Sequence, residues 1–128
     1  MAWEIRFTPE ARAWYHGLSQ RDAERIGAAF DELARRGPQL GRPAADSVRG
    51  SRHHNMKELR SFGGNLRALF AFDPKRTAVV LVAGDKTNDW KGWYARNIPR
   101  ADRLYDNHLR EGGEGPWRTG GRSGGRDR

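Results

Sequence analysis

The chain opens with strict alternation. Trp3, Ile5 and Phe7 are separated by Glu4 and Arg6, which predicts a short strand over Trp3–Phe7 with one buried face. Thr8 and Pro9 have the chemistry of an N-cap and a first helical residue. Ala11, Trp14, Tyr15 and Leu18 follow at i, i+3, i+4 and i+7, the spacing of an amphipathic helix of about three turns. Ser19 can cap a second helix, in which Ile26, Ala29, Phe30 and Leu33 repeat that spacing until Gly37 and Pro38 end it. Two apolar stripes on a helical hairpin need a sheet to cover them.

A polar connection over 39–50, punctuated by Gly41, Pro43 and Gly50, precedes a change of period to two. Met56, Glu58 and Arg60 share one face of a short strand, and Lys57 and Leu59 share the other. Gly63 and Gly64 turn the chain into a strand over Leu66–Phe72, with Leu66, Ala68, Phe70 and Phe72 as the core set and Arg67, Leu69 and Ala71 opposite. Asp73 and Pro74 suit a type I turn, and Thr77–Ala83 is apolar enough for a central strand. After a polar, aromatic stretch Pro99 can begin a helix carrying Ala101, Leu104, Tyr105 and His108. The pattern predicts an α+β fold: an N-terminal strand and helical hairpin packed on a small antiparallel sheet with a three-stranded meander, then a short C-terminal helix. One domain is expected over 1–110, followed by a disordered Gly/Arg-rich tail over 111–128.

Composition narrows the chemistry. There is no cysteine, which removes disulfides, thiolate metal sites and cysteine nucleophiles. The longest apolar run, 78–83, falls far short of the ~20 residues a membrane-spanning helix needs. No charged leader precedes an apolar stretch, so a soluble cytoplasmic protein is expected. The net charge is +8 and its distribution is uneven: residues 1–51 carry 8 Lys+Arg against 7 Asp+Glu, residues 52–110 carry 12 against 6, and 111–128 carry 4 against 3. The excess lies in the predicted sheet, which suits a polyanion such as RNA, DNA or an acidic protein; solubility alone is the bland alternative. No P-loop, dinucleotide fingerprint, HExxH or zinc-ligand spacing is present, and the adjacent His53 and His54 would point in different directions. Neither cofactor nor metal is expected.

The strings HNMKELR, LRALFAFDP, VLVAGDK and WY..NIP.AD.LYD.HL, in this order behind a strand and helical hairpin, resemble the RelE/HigB toxins of bacterial type II toxin-antitoxin systems, in the phage Gp49-like branch. The resemblance spans roughly residues 1–109. It implies a RelE-like fold, cleavage of messenger RNA in the ribosomal A site, and a cognate antitoxin, in this branch often of helix-turn-helix type. A ParE-like toxin acting on DNA gyrase, or a non-catalytic RNA-binding phage-derived module, are the alternatives, and fold analogy does not choose among them.

Metal-free RNA cleavage requires removal of a proton from the 2′-OH, stabilisation of the phosphorane and protonation of the departing 5′-oxygen. The family's basic sheet positions match Arg60, Arg67 and Lys86. The two arginines suit a phosphate clamp, and Lys86 suits charge stabilisation or proton donation. Glu58 stands where the family usually has lysine, and Met56 also replaces a lysine. Glu58 is therefore either a general base or an ion-pair partner that holds Arg60 or Arg67. His54 is a second base candidate, or a loop histidine without a role. Lys57, Lys91, Trp93 and Tyr94 are the RNA-binding candidates. Tyr94 matches the family's late tyrosine within a residue or two, Trp93 could instead be core, and Trp90 could anchor a partner.

Overall fold

Thr8 joins the first strand to the first helix and to the centre of the sheet with one side chain. Its hydroxyl accepts from the Ala11 amide at 3.2 Å and donates to the Leu81 carbonyl at 2.8 Å. In the computed structural model, which describes residues 2–112, it closes β1 (Glu4–Phe7) and caps α1 (Pro9–His16). Gly17 caps the C-terminus of α1, so that helix is shorter than the spacing through Leu18 suggests. Ser19 accepts from the Asp22 amide at 3.1 Å and starts α2 (Gln20–Arg36), which ends in a 3-10 turn over Gly37–Gln39. Gly37 has φ of 56°, and a Cβ there would lie 2.2 Å from Trp3 Nε1, so the helix ends against the indole that precedes the first strand.

The meander forms as expected: β3 (Met56–Arg60), β4 (Leu66–Phe72) and β5 (Thr77–Asp85) pair antiparallel in sequence. Two further strands complete the sheet. β1 lies parallel to β5, and the segment expected to be a polar connection contributes β2 (Ala45–Ser47), antiparallel to β3, giving the order β1-β5-β4-β3-β2. The three residues of β2 are too few for a period-two pattern to register.

Both faces of the sheet are buried. Ile26, Phe30 and Leu33 of the hairpin pack on Leu59, Leu66, Ala68, Phe70, Ala78 and Val80. The other face buries Met56, Leu69, Ala71, Val79, Leu81 and Val82 under Trp93, Ala101 and Tyr105. These last three lie on α3 (Trp90–Arg110). A β-bulge, at which Leu69 pairs with Val82 but Phe70 with Val80, turns both Leu81 and Val82 toward α3.

The expected short C-terminal helix is thus a 21-residue helix that begins at Trp90, with Pro99 inside it. Proline removes one helical donor and crowds the preceding turn, but Pro99 and Ala95 are both exposed, so water can satisfy the carbonyl left without its bond. The lower half of α3 is fastened to the sheet and to the loop before β3. Tyr105 donates to the Phe72 carbonyl at 3.0 Å, buried His108 meets Asp73 at 2.8 Å, and His53 meets Asp106 at 2.7 Å. The tail expectation falls, from residue 113 onward, outside the described residues.

Candidate functional site

Sheet register brings three site positions into one row. Arg60 on β3 stands opposite Arg67 on β4, and Arg67 stands opposite Gly84 on β5. A Cβ at Gly84 would lie 2.5 Å from Trp93 Nε1, so the bare backbone there is the seat of the indole. Trp93 is 6% exposed and belongs to the core. With Trp93 seated, its neighbour Tyr94 reaches over the sheet and donates to Glu58 Oε1 at 2.5 Å.

Glu58 is only 5% exposed, and both its oxygens are engaged: Oε2 accepts from Arg60 Nε at 2.8 Å. Asp46, directly across from Glu58 on β2, accepts from Arg60 Nη2 at 3.4 Å and pairs with Arg42 at 3.3 Å. Arg60 is therefore held by two carboxylates. Burial, reinforced by the bond to Glu58, pushes the Tyr94 hydroxyl up to about 12 despite the nearby Arg67 guanidinium, so it stays protonated at neutral pH. The Ser47 amide, with Arg42 and Arg60, holds the Asp46 carboxyl below its ordinary value against the opposing effect of burial.

Arg67 differs from Arg60. It has no carboxylate partner among the described residues; Nη1 donates to its neighbour's carbonyl, Leu66 O, at 2.9 Å, and Nε is buried with no hydrogen-bond partner. A buried N–H left unpaired costs about 1–3 kcal/mol. Arg67 is thus the arginine of this row without a carboxylate partner among the described residues, and its guanidinium lies near the Tyr94 hydroxyl.

Lys86 follows β5 and is tied to the β3–β4 hairpin by its amide, which donates to Asn65 O at 3.1 Å. Its ammonium lies 5.8 Å from the Trp90 ring centroid, and that of Lys91 lies 5.7 Å from the same ring. Trp90 itself is 55% exposed and meets Tyr94 edge-on at 6.5 Å. Arg60, Arg67, Lys86, Lys91 and Tyr94 thus lie at one end of the sheet, with Glu58 beneath them.

Two expected members are elsewhere. Lys57 shares the face of Leu59, toward the helical hairpin, because alternation puts it opposite Glu58 and Arg60. His54 is exposed in the loop at the far end of β3; the four steps from Met56 to Arg60 alone span about 13 Å at ~3.3 Å each. Asp46, which the sequence does not single out, sits in the unread strand β2. Trp90, expected as a possible anchor for a partner, is one helical turn before Tyr94, a spacing visible only if the helix is read across Pro99. Among the described residues no three His, Asp or Glu side chains converge as a metal-ligand set, and no helix is long and apolar enough to cross a membrane.

A family model described as phage derived protein Gp49-like (DUF891) matches residues 13–106. HigB3, a candidate toxin of Mycobacterium tuberculosis (strain ATCC 25618 / H37Rv), is 46% identical over 101 residues, which cover 79% of this chain and 89% of HigB3. Among solved structures, the isolated E. coli RelE toxin superimposes with a TM-score of 0.55 at 13% identity, over 76% of this chain and 100% of RelE. The RelBE2 toxin-antitoxin complex of M. tuberculosis contains a chain that matches with a TM-score of 0.51 at 24% identity, over 66% of this chain and 99% of the other. At these identities the two structures bear on the fold alone. The chain belongs to the phage-derived Gp49-like family of RelE/HigB-like toxins.

Proposed function

We propose that this protein is the toxin of a type II toxin-antitoxin system and cleaves messenger RNA on the ribosome without a metal ion. One observation carries the reading: Arg67 stands in register with Arg60 in a half-buried row, yet alone of the two has no carboxylate partner among the described residues. A phosphate is the acceptor its fork fits. In this reading Arg67 clamps the scissile phosphate and stabilises the phosphorane, the role a metal ion has in other nucleases. Arg60 supports it from the neighbouring strand, solvent water takes the 2′-OH proton as that oxygen attacks the phosphorus, and the Lys86 ammonium donates a proton to the departing 5′-oxygen.

Glu58 is best read as a positioning residue, since Arg60 and Tyr94 take both its oxygens. Tyr94, protonated and fixed by Glu58, orients the substrate over the cations. The partners are the ribosome with its mRNA and a cognate antitoxin, in this branch expected to be of helix-turn-helix type; the site of action is the cytoplasm. Expression without antitoxin should arrest growth and translation, with primer extension showing new mRNA 5′ ends only where ribosomes are engaged. Intact mRNA together with gyrase-dependent DNA breaks would replace this reading with a gyrase-directed one.

A further inference from the structure

We infer that Trp90, flanked by Lys86 and Lys91, is a stacking subsite for one nucleotide of the bound RNA beside the cleavage site, an assignment that rests on the RNA-directed reading above. Among the described residues only Phe62, Trp90 and Leu109 are large exposed hydrophobics, and Trp90 is the most exposed of them at 55%. An exposed indole is by itself unremarkable on a protein surface. Its surroundings are what select a ligand. The ammonium groups of Lys86 and Lys91 lie 5.8 and 5.7 Å from the ring centroid, within the range of cation–π attraction. Tyr94 braces the ring edge-on, with centroids 6.5 Å apart.

A nucleotide matches this arrangement in both its parts. The base offers a flat face to the indole and its phosphate offers negative charge to the two ammonium groups, which is how single-stranded RNA is held where bases are unstacked. An apolar protein surface matches it poorly, because docking there would remove two ammonium groups from water without pairing them. The location fits as well. Trp90 is on the helical turn before Tyr94, and Lys86 is one residue beyond β5, two beyond the Gly84 that pairs with Arg67, so the subsite adjoins the clamp. Leu109 sits 19 residues further along α3, about 28 Å away at ~1.5 Å per residue, with no comparable setting.

The test pairs variants of the full chain with an altered probe. Ribosomes would be programmed with mRNA whose A-site codon carries 2′-O-methyl groups, so that it binds without being cut, and each codon position in turn would be made abasic. Binding would be measured for the unaltered toxin, Trp90→Phe, Trp90→Leu and Leu109→Ala. Stacking on Trp90 should make one abasic position weaken binding by about tenfold. Trp90→Leu should lose the same factor with the intact codon and be indifferent to that abasic position; Trp90→Phe should recover most of it, and Leu109→Ala should match the unaltered chain.

Additive losses at every position would overturn the assignment, as would equal binding by Trp90→Leu and the unaltered toxin, or a loss by Trp90→Leu confined to antitoxin binding. Because the probe cannot be cleaved, this outcome is separate from catalysis. Coupling at one position with an uncut natural mRNA would sustain the subsite while sinking the nuclease reading. Absence of coupling with normal cleavage would do the reverse.

Discussion

At the scale of single residues the site contains two arginines with opposite standing. Arg60 is paired with Glu58 and Asp46, whereas Arg67 has no carboxylate partner among the described residues and donates to the Leu66 carbonyl. Glu58 is where position and chemistry are easiest to confuse. With one oxygen on Arg60, the other on Tyr94 and only 5% of the residue exposed, Glu58 offers a substrate hydroxyl no open approach to its remaining lone pairs unless Tyr94 moves. Glu58→Gln preserves both contacts in altered form: the amide oxygen can accept from Arg60, and the amide nitrogen can donate to the Tyr94 oxygen. Single-turnover cleavage by this variant should stay within about tenfold of normal with an unchanged pH profile, while a general base would lose ~10² to 10⁴. Glu58→Ala, which frees both partners, should be the more damaging change. A Glu58→Gln variant that lost the acidic limb of its pH profile would restore the base assignment.

At the scale of elements the decisive joint is that between β5 and α3, made where Trp93 lies on Gly84. Gly84→Ala would force the indole away and with it Tyr94, the next residue on the helix. Overpacking of this kind typically costs ~1–3 kcal/mol, so a lowered denaturation midpoint is expected together with a loss of cleavage larger than the stability change explains. Unaltered activity in that variant would show that the seat of Trp93 does not set the site. The other end of α3 is held by the buried His108–Asp73 contact. Burial raises the Asp73 pKa, but bonds from His108 and from the Thr77 and Lys75 amides outweigh it and leave the carboxyl below its ordinary value. A depressed carboxylate contributes stability above the unfolded-state value of ~3.9 and loses it as pH falls through the folded value. Chemical denaturation across that acidic range should show a decline that is smaller in Asp73→Asn; equal declines would remove Asp73 from the account.

Much of this element structure was legible because local pattern and final packing agree. The caps at Thr8 and Ser19, the stripe Ile26–Ala29–Phe30–Leu33 and the alternation in β3 and β4 each have a local cause that tertiary structure did not override. Arg60 and Arg67 were legible as a pair because period two fixes the face of a residue. The rest depended on contacts between distant segments. Pro99 marked a helix start only because its tolerated place on an exposed face cannot be read from neighbours, and β2 exists because β3 offers it an edge. Charge alone groups Lys57 with residues from which alternation separates it, and the chemistry of imidazole alone makes His54 a candidate base although β3 carries the chain away from it.

At the scale of the whole molecule a basic chain of +8 folds into a sheet covered on both faces, with the paired arginines Arg60 and Arg67 at one end. Net charge draws the protein to polyanions in general; the row Arg60–Arg67–Gly84, roofed by Tyr94, gives one phosphate a defined place. The direct test of that claim is single-turnover cleavage of mRNA on programmed ribosomes by the unaltered toxin and by Arg67→Ala, with antitoxin binding checked to establish that the variant is folded. New 5′ ends within the A-site codon are expected with the unaltered toxin, and a rate lower by ~10² to 10³ with Arg67→Ala, the loss expected when one oriented charge donor worth ~3–4 kcal/mol is removed. Equal cleavage by the two proteins, or no ribosome-dependent cleavage by either, would contradict that claim.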